Sequence, residues 1–303
     1  MTTVAQKPPP VQARKIKDTG NSFSAAKTPV YLACLLIAVV WVIPALGILV
    51  NSFRNPQAIQ SSGWWTVFGE VFSAETWTLQ NYATVLDQGF GNAFANSLAV
   101  TIPAVAIPIT VAAFAAYAFA WMDFPGRNLW FAAVVGLMVV PLQMALIPIL
   151  RIYTVFDLTG SFPGLWLAHT GFGLPLAVYL LRNYMGSLPS SLIESAQIDG
   201  ASHWTIFTRL ILPLSTPVLA AFATLQFLWV WNDYLVALVF LGVANPDNAV
   251  ITVELAGLQG QFGEGALNLL PAAAFVSMIL PLVVFFMLQR YFVRGLTAGS
   301  VKG

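Results

Sequence analysis

Residues 88–122 read QGFGNAFANSLAVTIPAVAIPITVAAFAAYAFAWM and contain no acidic or basic residue. A bilayer core of about 30 Å requires about 20 apolar residues in a helix, so this segment is long enough to cross a membrane. The rest of the 303-residue chain shares its character, since 58% of all residues are hydrophobic and 8% are charged. Soluble domains carry about 25% charged residues. The composition therefore predicts an integral membrane protein.

Five further runs without acidic or basic residues bring the number of predicted transmembrane helices to six. The first run could instead be the core of a cleaved signal peptide, with Ala45, Leu46 and Gly47 as a small-residue site, but it is longer than the usual core of about 7–15 residues. The fifth run is expected to continue past Asp233 to about Leu241. The five runs cover residues 28–53, 128–150, 158–181, 210–232 and 265–289.

Basic residues set the expected orientation, because cytoplasmic loops carry an excess of lysine and arginine. With the N-terminus in the cytoplasm, six crossings place eleven of the 13 basic residues inside and only Arg54 and Arg151 outside. Both termini are therefore predicted to be cytoplasmic. The expected organisation is a disordered cytoplasmic tail at 1–27, a first transmembrane helix at 28–53, an extracytoplasmic loop at 54–93, a core with five transmembrane helices at 94–293 and a cytoplasmic tail at 294–303.

Prolines interrupt most of the predicted spans. Each internal proline removes a helical hydrogen bond and bends the helix. Inside a bilayer the carbonyl that loses its partner must be satisfied by a neighbouring helix or by water. Such bends suit a bundle that moves around a cavity, and they also occur as ordinary kinks in packed helices. The prolines are Pro103 and Pro108 in the second span, Pro141 and Pro148 in the third, Pro175 in the fourth, and Pro271 and Pro281 in the sixth.

The polar segment 185–213, between the fourth and fifth spans, is too short to cross the membrane and falls on the cytoplasmic side. Ser191 and Glu194 have the spacing of a capping box at a helix start. Gly200 is placed to end this helix in a left-handed turn, and a second short helix is expected over 202–210. A unit of this kind is expected to bury little against its own chain. We interpret it as a docking element for another protein or as a membrane-surface connector.

Two spacings in this segment resemble the EAA loop of ABC importer permeases, in which Glu-Ala-Ala is followed by three residues, Gly, nine residues and Ile-x-Leu-Pro. Here the pattern reads Glu194-Ser195-Ala196, Gly200 and Leu210-Ile211-Leu212-Pro213, with Ser195 and Leu210 in place of Ala and Ile. We call residues 185–213 the EAA-like loop. Similarity to sugar permeases, of the maltose and α-glucoside type, extends to Asn96-Ser97-Leu98, residues 116–120 and 124–126, Trp231-Asn232-Asp233, Ser61–Trp65 and the C-terminal tail 295–303, which resembles that of the smaller maltose-transporter permease.

The resemblance implies the type I ABC importer permease fold and a defined set of partners. It implies a pore shared with a second, different permease subunit, two cytoplasmic ATPase subunits, and an extracytoplasmic protein that delivers a sugar such as maltose, trehalose or another α-glucoside or oligosaccharide. The chain has no Gly-x-x-x-x-Gly-Lys-Ser/Thr loop, the signature of an ATP site. It is expected to be no enzyme and to bind no cofactor, with ATP and Mg held by the ATPase subunits in the cell membrane complex.

The resemblance implies the coupling and C-terminal site residues, and the chemistry of the fifth span suggests the substrate-pathway residues. Asp233 lies in a span, where a carboxylate costs roughly 2.5–3.5 kcal/mol, so it should face a cavity or a partner. It could contact sugar or form a structural hydrogen bond. The predicted ATPase-coupling residues are Glu194, Ser195, Ala196, Asp199, Gly200 and Ala201; the predicted C-terminal contacts are Thr297, Ala298 and Gly299; the predicted substrate-pathway residues are Trp229, Trp231, Asn232 and Asp233.

Other functional classes lack support in the sequence. A secondary transporter is expected to carry internal repeats and several intramembrane charges, whereas this chain offers mainly Asp233 and no visible repeat. A membrane enzyme needs clustered catalytic groups, and His169, His203 and Cys34 are far apart in sequence. The same residues offer no metal site. The net charge of +1 does not indicate a nucleic-acid partner.

Overall fold

The structure is a computed structural model that describes residues 27–69, 73, 75–242, 246–261 and 268–297. Regular structure in these residues is helical, with one isolated β-bridge between Arg54 and Trp77, which confirms the all-α prediction. The predicted disordered tail lies outside the described residues except for Lys27. The helices are α1 (Thr28–Ser52), α2 (Pro56–Ser61), α3 (Gln80–Val85), α4 (Gly91–Trp121), α5 (Arg127–Gly136), α6 (Leu142–Val155), α7 (Phe162–Gly186), α8 (Ser190–Ile198), α9 (His203–Ile206), α10 (Leu212–Leu214), α11 (Thr216–Trp231), α12 (Leu235–Leu241), α13 (Ile251–Gln261) and α14 (Leu270–Thr297).

These helices provide six candidate membrane spans. α1, α7, α14 and the α3–α4 stretch are each long and apolar enough to cross a bilayer. Two further spans are bent pairs: α5 meets α6 at 104°, and the stretch from α9 to α10 meets α11 at 69°. Counting each bent pair as one span confirms the predicted number. By compactness the chain divides into one unit that ends at Leu46, within α1, and a second that begins at Gly47 and contains the other helices.

The fifth span is interrupted near its end. The sequence predicts one helix as far as Leu241, but α11 and α12 are separated at Asn232–Tyr234. The Asp233 carboxylate accepts hydrogen bonds from the N–H groups of Val236 (3.3 Å) and Ala237 (2.9 Å). An acidic side chain that takes the first free N–H groups of a helix favours a new start there. The prediction of a continuous helix is therefore wrong: α12 begins at Leu235, and the Asp233 carboxylate binds N–H groups of its first turn.

Prolines inside the spans free backbone carbonyls, and side chains from neighbouring helices bind them. A helical proline has no N–H to donate to the carbonyl four residues earlier. Pro103 in α4 therefore frees the carbonyl of Ala99. The indole Nε1 of Trp166 in α7 donates to that carbonyl at 3.0 Å.

The same arrangement recurs twice more. Pro108 in α4 frees the carbonyl of Ala104, which accepts a hydrogen bond from Gln226 Nε2 of α11 at 3.2 Å. In α14, Pro281 frees the carbonyl of Ser277. That carbonyl accepts from the Trp231 indole of α11 at 2.9 Å. The prediction that neighbouring helices satisfy the freed carbonyls is confirmed at these three positions.

The segment after α1 is organised by a buried arginine. Arg54 is 2% exposed, and its guanidinium donates to the Ala58 carbonyl at 3.0 Å and to Ser62 Oγ at 2.6 Å. Asn81 in α3 donates to the Arg54 carbonyl at 2.8 Å. The residues expected to form an extracytoplasmic loop are thus folded around a charged side chain and carry short helices.

Candidate functional site

The EAA-like loop contains the predicted left-handed turn. Gly200 has φ +79°, and the hydrogen bonds at the end of α8 are those of a Schellman motif: Gly200 N–H donates to the Gln197 carbonyl at 3.0 Å, and Ala201 N–H donates to the Ala196 carbonyl at 2.9 Å. No atom lies within 4 Å of the place where a Cβ on Gly200 would stand. The requirement for glycine is therefore conformational and not steric.

The predicted capping box is absent from α8. The helix begins two residues earlier than the pattern requires, because the extended Pro189 occupies the N-cap position and no side chain caps the helix. Ser191 lies within the first turn and Glu194 is exposed. The prediction that Glu194 caps its own helix is therefore wrong, and its carboxylate faces solvent.

The second half of the loop forms the expected short helix. Ser202 Oγ accepts a hydrogen bond from the Thr205 N–H at 3.3 Å and so begins α9. A π turn follows at Phe207–Ile211. Contrary to expectation, the loop buries a substantial apolar face. Ile193, Ile206, Phe207 and Ile211 are buried against α4 and α7, because their spacing places them on one side of the two helices.

Polar and aromatic contacts fix the loop to the bundle. The Tyr117 hydroxyl and His203 Nδ1 form a hydrogen bond of 2.9 Å. The Trp121 indole donates to the Met185 carbonyl at 3.1 Å. Phe114 stacks on Trp204 with ring centroids 6.2 Å apart. All three contacts join α4 to the loop.

The opposite face of the loop is exposed and carries four of the six predicted coupling residues. Ala196 and Ala201 are half-buried, and the other four, Glu194, Ser195, Asp199 and Gly200, are exposed. Two large apolar side chains of the loop were missed by the sequence reasoning. Ile198 lies on this face and is 86% exposed, and Trp204, which stacks on Phe114, is 64% exposed. The position of Ile198 just after the Glu-Ser-Ala pattern was the available signal.

The predicted substrate-pathway residues do not share one site. Trp231 is 2% exposed, with its indole bound to α14 and its ring stacked on Phe227 at 5.8 Å. Asn232 is exposed and bonds the Leu228 carbonyl of its own helix at 2.8 Å. Trp229 is 39% exposed. Of the four, the structure places only Trp229 at a large cavity.

Asp233 lies at a small space apart from that cavity, lined by both polar and apolar residues. Its Oδ2 is 3.9 Å from His169 Nε2, a side chain that is 2% exposed. Its backbone carbonyl accepts a hydrogen bond from Thr252 Oγ1 at 2.5 Å. Ser97, Thr101 and Trp231 also line this space, together with apolar side chains, so two of the four predicted substrate-pathway residues meet there. The contacts of Asp233 are therefore those of a structural group that joins the fifth span to α7 and α13.

The large cavity lies between the bent α5–α6 pair, α7 and α11. Its volume is about 530 Å³. The described residues that line it include Tyr153, Phe172 and Trp229, with Gly171 and Pro175 of α7, and none of the lining side chains is charged. Tyr153 and Phe172 were not predicted, because a single aromatic residue in an apolar run has the same pattern as a core residue.

The last predicted site, at the C-terminus, falls largely outside the described residues. Thr297 is the last residue of α14. Ala298 and Gly299 lie outside the described part of the chain.

Six apolar spans, an uncharged cavity between bent helices and an exposed surface loop define a membrane permease. Residues 97–298 match the family described as "Binding-protein-dependent transport system inner membrane component". The chain belongs to this family. The predicted recognition and membrane localisation are thereby confirmed.

Relatives and solved structures agree with this assignment. The chain is 57% identical over 277 residues, 91% of this chain and 92% of the relative, to the osmoprotective compounds uptake permease protein GgtD of Synechocystis. It is 54% identical over 255 residues, 82% of this chain and 67% of the relative, to the alpha-glucoside transport system permease protein AglG of Rhizobium meliloti.

A solved structure shows the same fold. A crystal structure of a bacterial ABC transporter involved in the import of the acidic polysaccharide alginate has a chain that matches with a TM-score of 0.70. The match has 20% identity and covers 89% of this chain and 99% of the other. The predicted permease fold of ABC importers is confirmed.

Proposed function

We propose that this chain is a permease subunit of an ATP-driven importer that moves a neutral sugar, an α-glucoside or a small glycoside, into the cytoplasm. The observation that carries the proposal is the cavity of about 530 Å³ lined by aromatic and apolar residues. Names of relatives support the substrate class, since one is an alpha-glucoside permease and another, in Mycobacterium tuberculosis, is a trehalose transport system permease protein.

The chemistry of the cavity favours an uncharged ligand. Sugar rings present C–H groups on their faces, and these faces pack against aromatic rings such as those of Trp229, Tyr153 and Phe172. Binding sites are commonly concave and mostly apolar, with few polar groups. Because no lysine or arginine is among the described lining residues, an acidic sugar would lack a counter-charge on this wall.

The exposed face of the EAA-like loop is proposed as the surface that receives energy from two cytoplasmic ATPase subunits. Glu194 faces solvent without a capping role, and Ile198 projects an apolar side chain beside it. ATP and Mg would be held by those subunits. Closure of the ATPases would push the loop, and the contacts of Tyr117 and Trp121 with the loop would carry the movement into α4. The bundle would then exchange inward and outward access.

Two further partners complete the proposal. A second permease subunit would supply the other wall of the pathway. An extracytoplasmic sugar-binding protein would deliver the sugar to the end of the bundle that includes α13.

The test is uptake of labelled sugars by cells that express this chain with its proposed partners. Neutral α-glucosides and glycosides are expected to be imported, and uronic acids of equal size are expected to be excluded. Trp229→Ala is expected to raise the half-saturation concentration about tenfold, as for the loss of one stacking contact. Trp130→Ala, a change at a tryptophan that is 62% exposed outside the cavity lining, is the control. Preferential import of uronic acids, or an unchanged half-saturation in Trp229→Ala, would contradict the proposal.

A further inference from the structure

The three freed carbonyls of α4 and α14 are satisfied in the same way. In each case a proline removes a backbone donor, and a side chain from another helix replaces it. We call each set of proline, carbonyl and donor a proline joint: Pro103–Ala99–Trp166, Pro108–Ala104–Gln226 and Pro281–Ser277–Trp231.

Gln226 is the most constrained of the three donors. Its side chain is 1% exposed. Its Nε2 bridges two helices, with the Ala104 carbonyl at 3.2 Å and the His169 carbonyl at 3.3 Å. Its Oε1 lies 2.5 Å from where a Cβ on Gly173 would stand, so the amide would have to move if α7 had a larger residue there. Gln226 therefore occupies a junction of α4, α7 and α11.

The helix that carries Gln226 also reaches the EAA-like loop. Val218 and Phe222, in the first half of α11, are buried in the same apolar cluster as Ile206 and Phe207 of the loop. Gln226 and Trp231 lie further along the same helix. α11 thus connects the EAA-like loop to the proline joint at Pro108 in α4 and to the proline joint at Pro281 in α14.

We propose that Gln226, Trp166 and Trp231 are positioning residues of the transport cycle, because they let α4 and α14 bend at their prolines without losing a hydrogen bond. A backbone N–H in a helix bonds its carbonyl at one fixed geometry. A side-chain donor on rotatable bonds follows the carbonyl over a range of angles. An unbound carbonyl in the apolar bundle would be costly. This role rests on the proposed function.

The chemistry of a joint is tested by restoring the missing backbone donor. Gln226→Leu leaves the Ala104 carbonyl without its donor, and the unfolding equilibrium of the purified chain in detergent is expected to shift about tenfold. Adding Pro108→Ala returns an N–H to the same carbonyl and is expected to reverse most of that shift. Pro103→Ala is the matched control, because it restores an N–H donor to a different carbonyl, that of Ala99. It is expected to restore the stability lost in Trp166→Phe and not the stability lost in Gln226→Leu. Equal rescue by both alanines, or rescue by neither, would overturn the pairing.

The bending role is tested by distance measurement in the same chain. Cys34, the free cysteine of the described residues, is first replaced by serine, and spin labels are placed at the exposed positions Ala95 and Val111 of α4, about 24 Å apart along the helix. Pro108→Ala is expected to narrow the distribution of distances. An unchanged distribution would overturn the role of the joint in bending.

Transport supplies the final readout. The double variant Gln226→Leu/Pro108→Ala is expected to recover most of the native stability while importing sugar at least about tenfold more slowly and using more ATP per sugar. Native uptake by this stable double variant would overturn the positioning role. A native complex that imports no sugar would contradict the proposed function, while the stability and distance measurements still decide the joints.

Discussion

The EAA-like loop and Asp233 of the fifth span were both singled out by the sequence, and the structure gives their polar residues different contacts. Glu194 is exposed and has no capping role, whereas Asp233 is held by two backbone donors and lies near His169. Glu194 therefore has no described structural role within its own chain, whereas Asp233 makes several contacts within the fold. An unusual polar residue therefore indicates a partner most strongly when the fold itself does not use it.

The largest expected effect is at the turn of the loop. Gly200→Val places a β-branched residue at φ +79°, where strain of roughly 1–3 kcal/mol is expected. Transport should fall by more than tenfold, with insertion into the membrane retained, because the orientation of α8 against α9 changes. The measurement is sugar-stimulated ATP hydrolysis and uptake in the reconstituted complex.

A matched control for that change lies at the end of α7. Gly186 is helical, and no atom lies within 4 Å of the place where a Cβ on it would stand, so Gly186→Val should have a much smaller effect. Normal uptake in Gly200→Val would remove the loop from the coupling path.

The second prediction tests the structural role of Asp233. Asparagine keeps one acceptor oxygen where aspartate has two, so Asp233→Asn should keep one of the two backbone hydrogen bonds and largely preserve assembly and transport. Asp233→Leu leaves the N–H groups of Val236 and Ala237 without an acceptor and should cost about 1–3 kcal/mol, measured as a lower melting temperature. Normal assembly in both variants with a substrate-dependent rise in half-saturation would instead place Asp233 on the sugar pathway.

The third prediction concerns Glu194. Since its carboxylate is exposed and does not cap α8, Glu194→Ala should reduce coupled ATP hydrolysis about tenfold, as for the loss of one charged contact, without changing the melting temperature. Ser191→Ala is the control, because a true capping box would make it cost about 1 kcal/mol. A clear loss of stability in either variant would restore the capping box and weaken the contrast with Asp233.

The smallest expected effect is at Glu254 in α13. Burial raises the pKa of this carboxyl above its ordinary value. The folded chain then holds its proton to a higher pH than the unfolded chain, so stability should decrease as pH rises through the interval between the two pKa values. Glu254→Gln should abolish this decrease in a melting series at different pH. An equal pH dependence in the variant would show that another group is responsible.

The helical class and the number of spans could be predicted from the sequence, because the length of each apolar run is a local property of the chain. The turn at Gly200 also followed, since a left-handed helix end depends on its own residue. The break at Asp233 did not, because its span remains apolar on either side. The donors to the freed carbonyls could not be predicted either. The sequence shows that Pro108 leaves a carbonyl without its helical donor, but the donor, Gln226, lies 118 residues away in sequence and reaches that carbonyl only when the helices pack.

The candidate site, too, has features that the local sequence predicts and features that arise only from packing. The pattern from Glu194 to Gly200 marked the loop surface, whereas the aromatic lining of the cavity from Tyr153, Phe172 and Trp229 arises only when α6, α7 and α11 come together. The burial of Ile206 and Phe207 was missed because the loop was interpreted as a free unit.

The central claim, that the EAA-like loop is the cytoplasmic coupling surface, is tested most directly by accessibility in intact cells. Single cysteines are placed at Ser190, in the loop, and at Gln57, in α2, in a chain that carries Cys34→Ser, and a membrane-impermeant thiol reagent is added from outside. Labelling is expected at position 57 in intact cells and at position 190 only after the membrane is opened. Labelling of position 190 from outside would contradict the account.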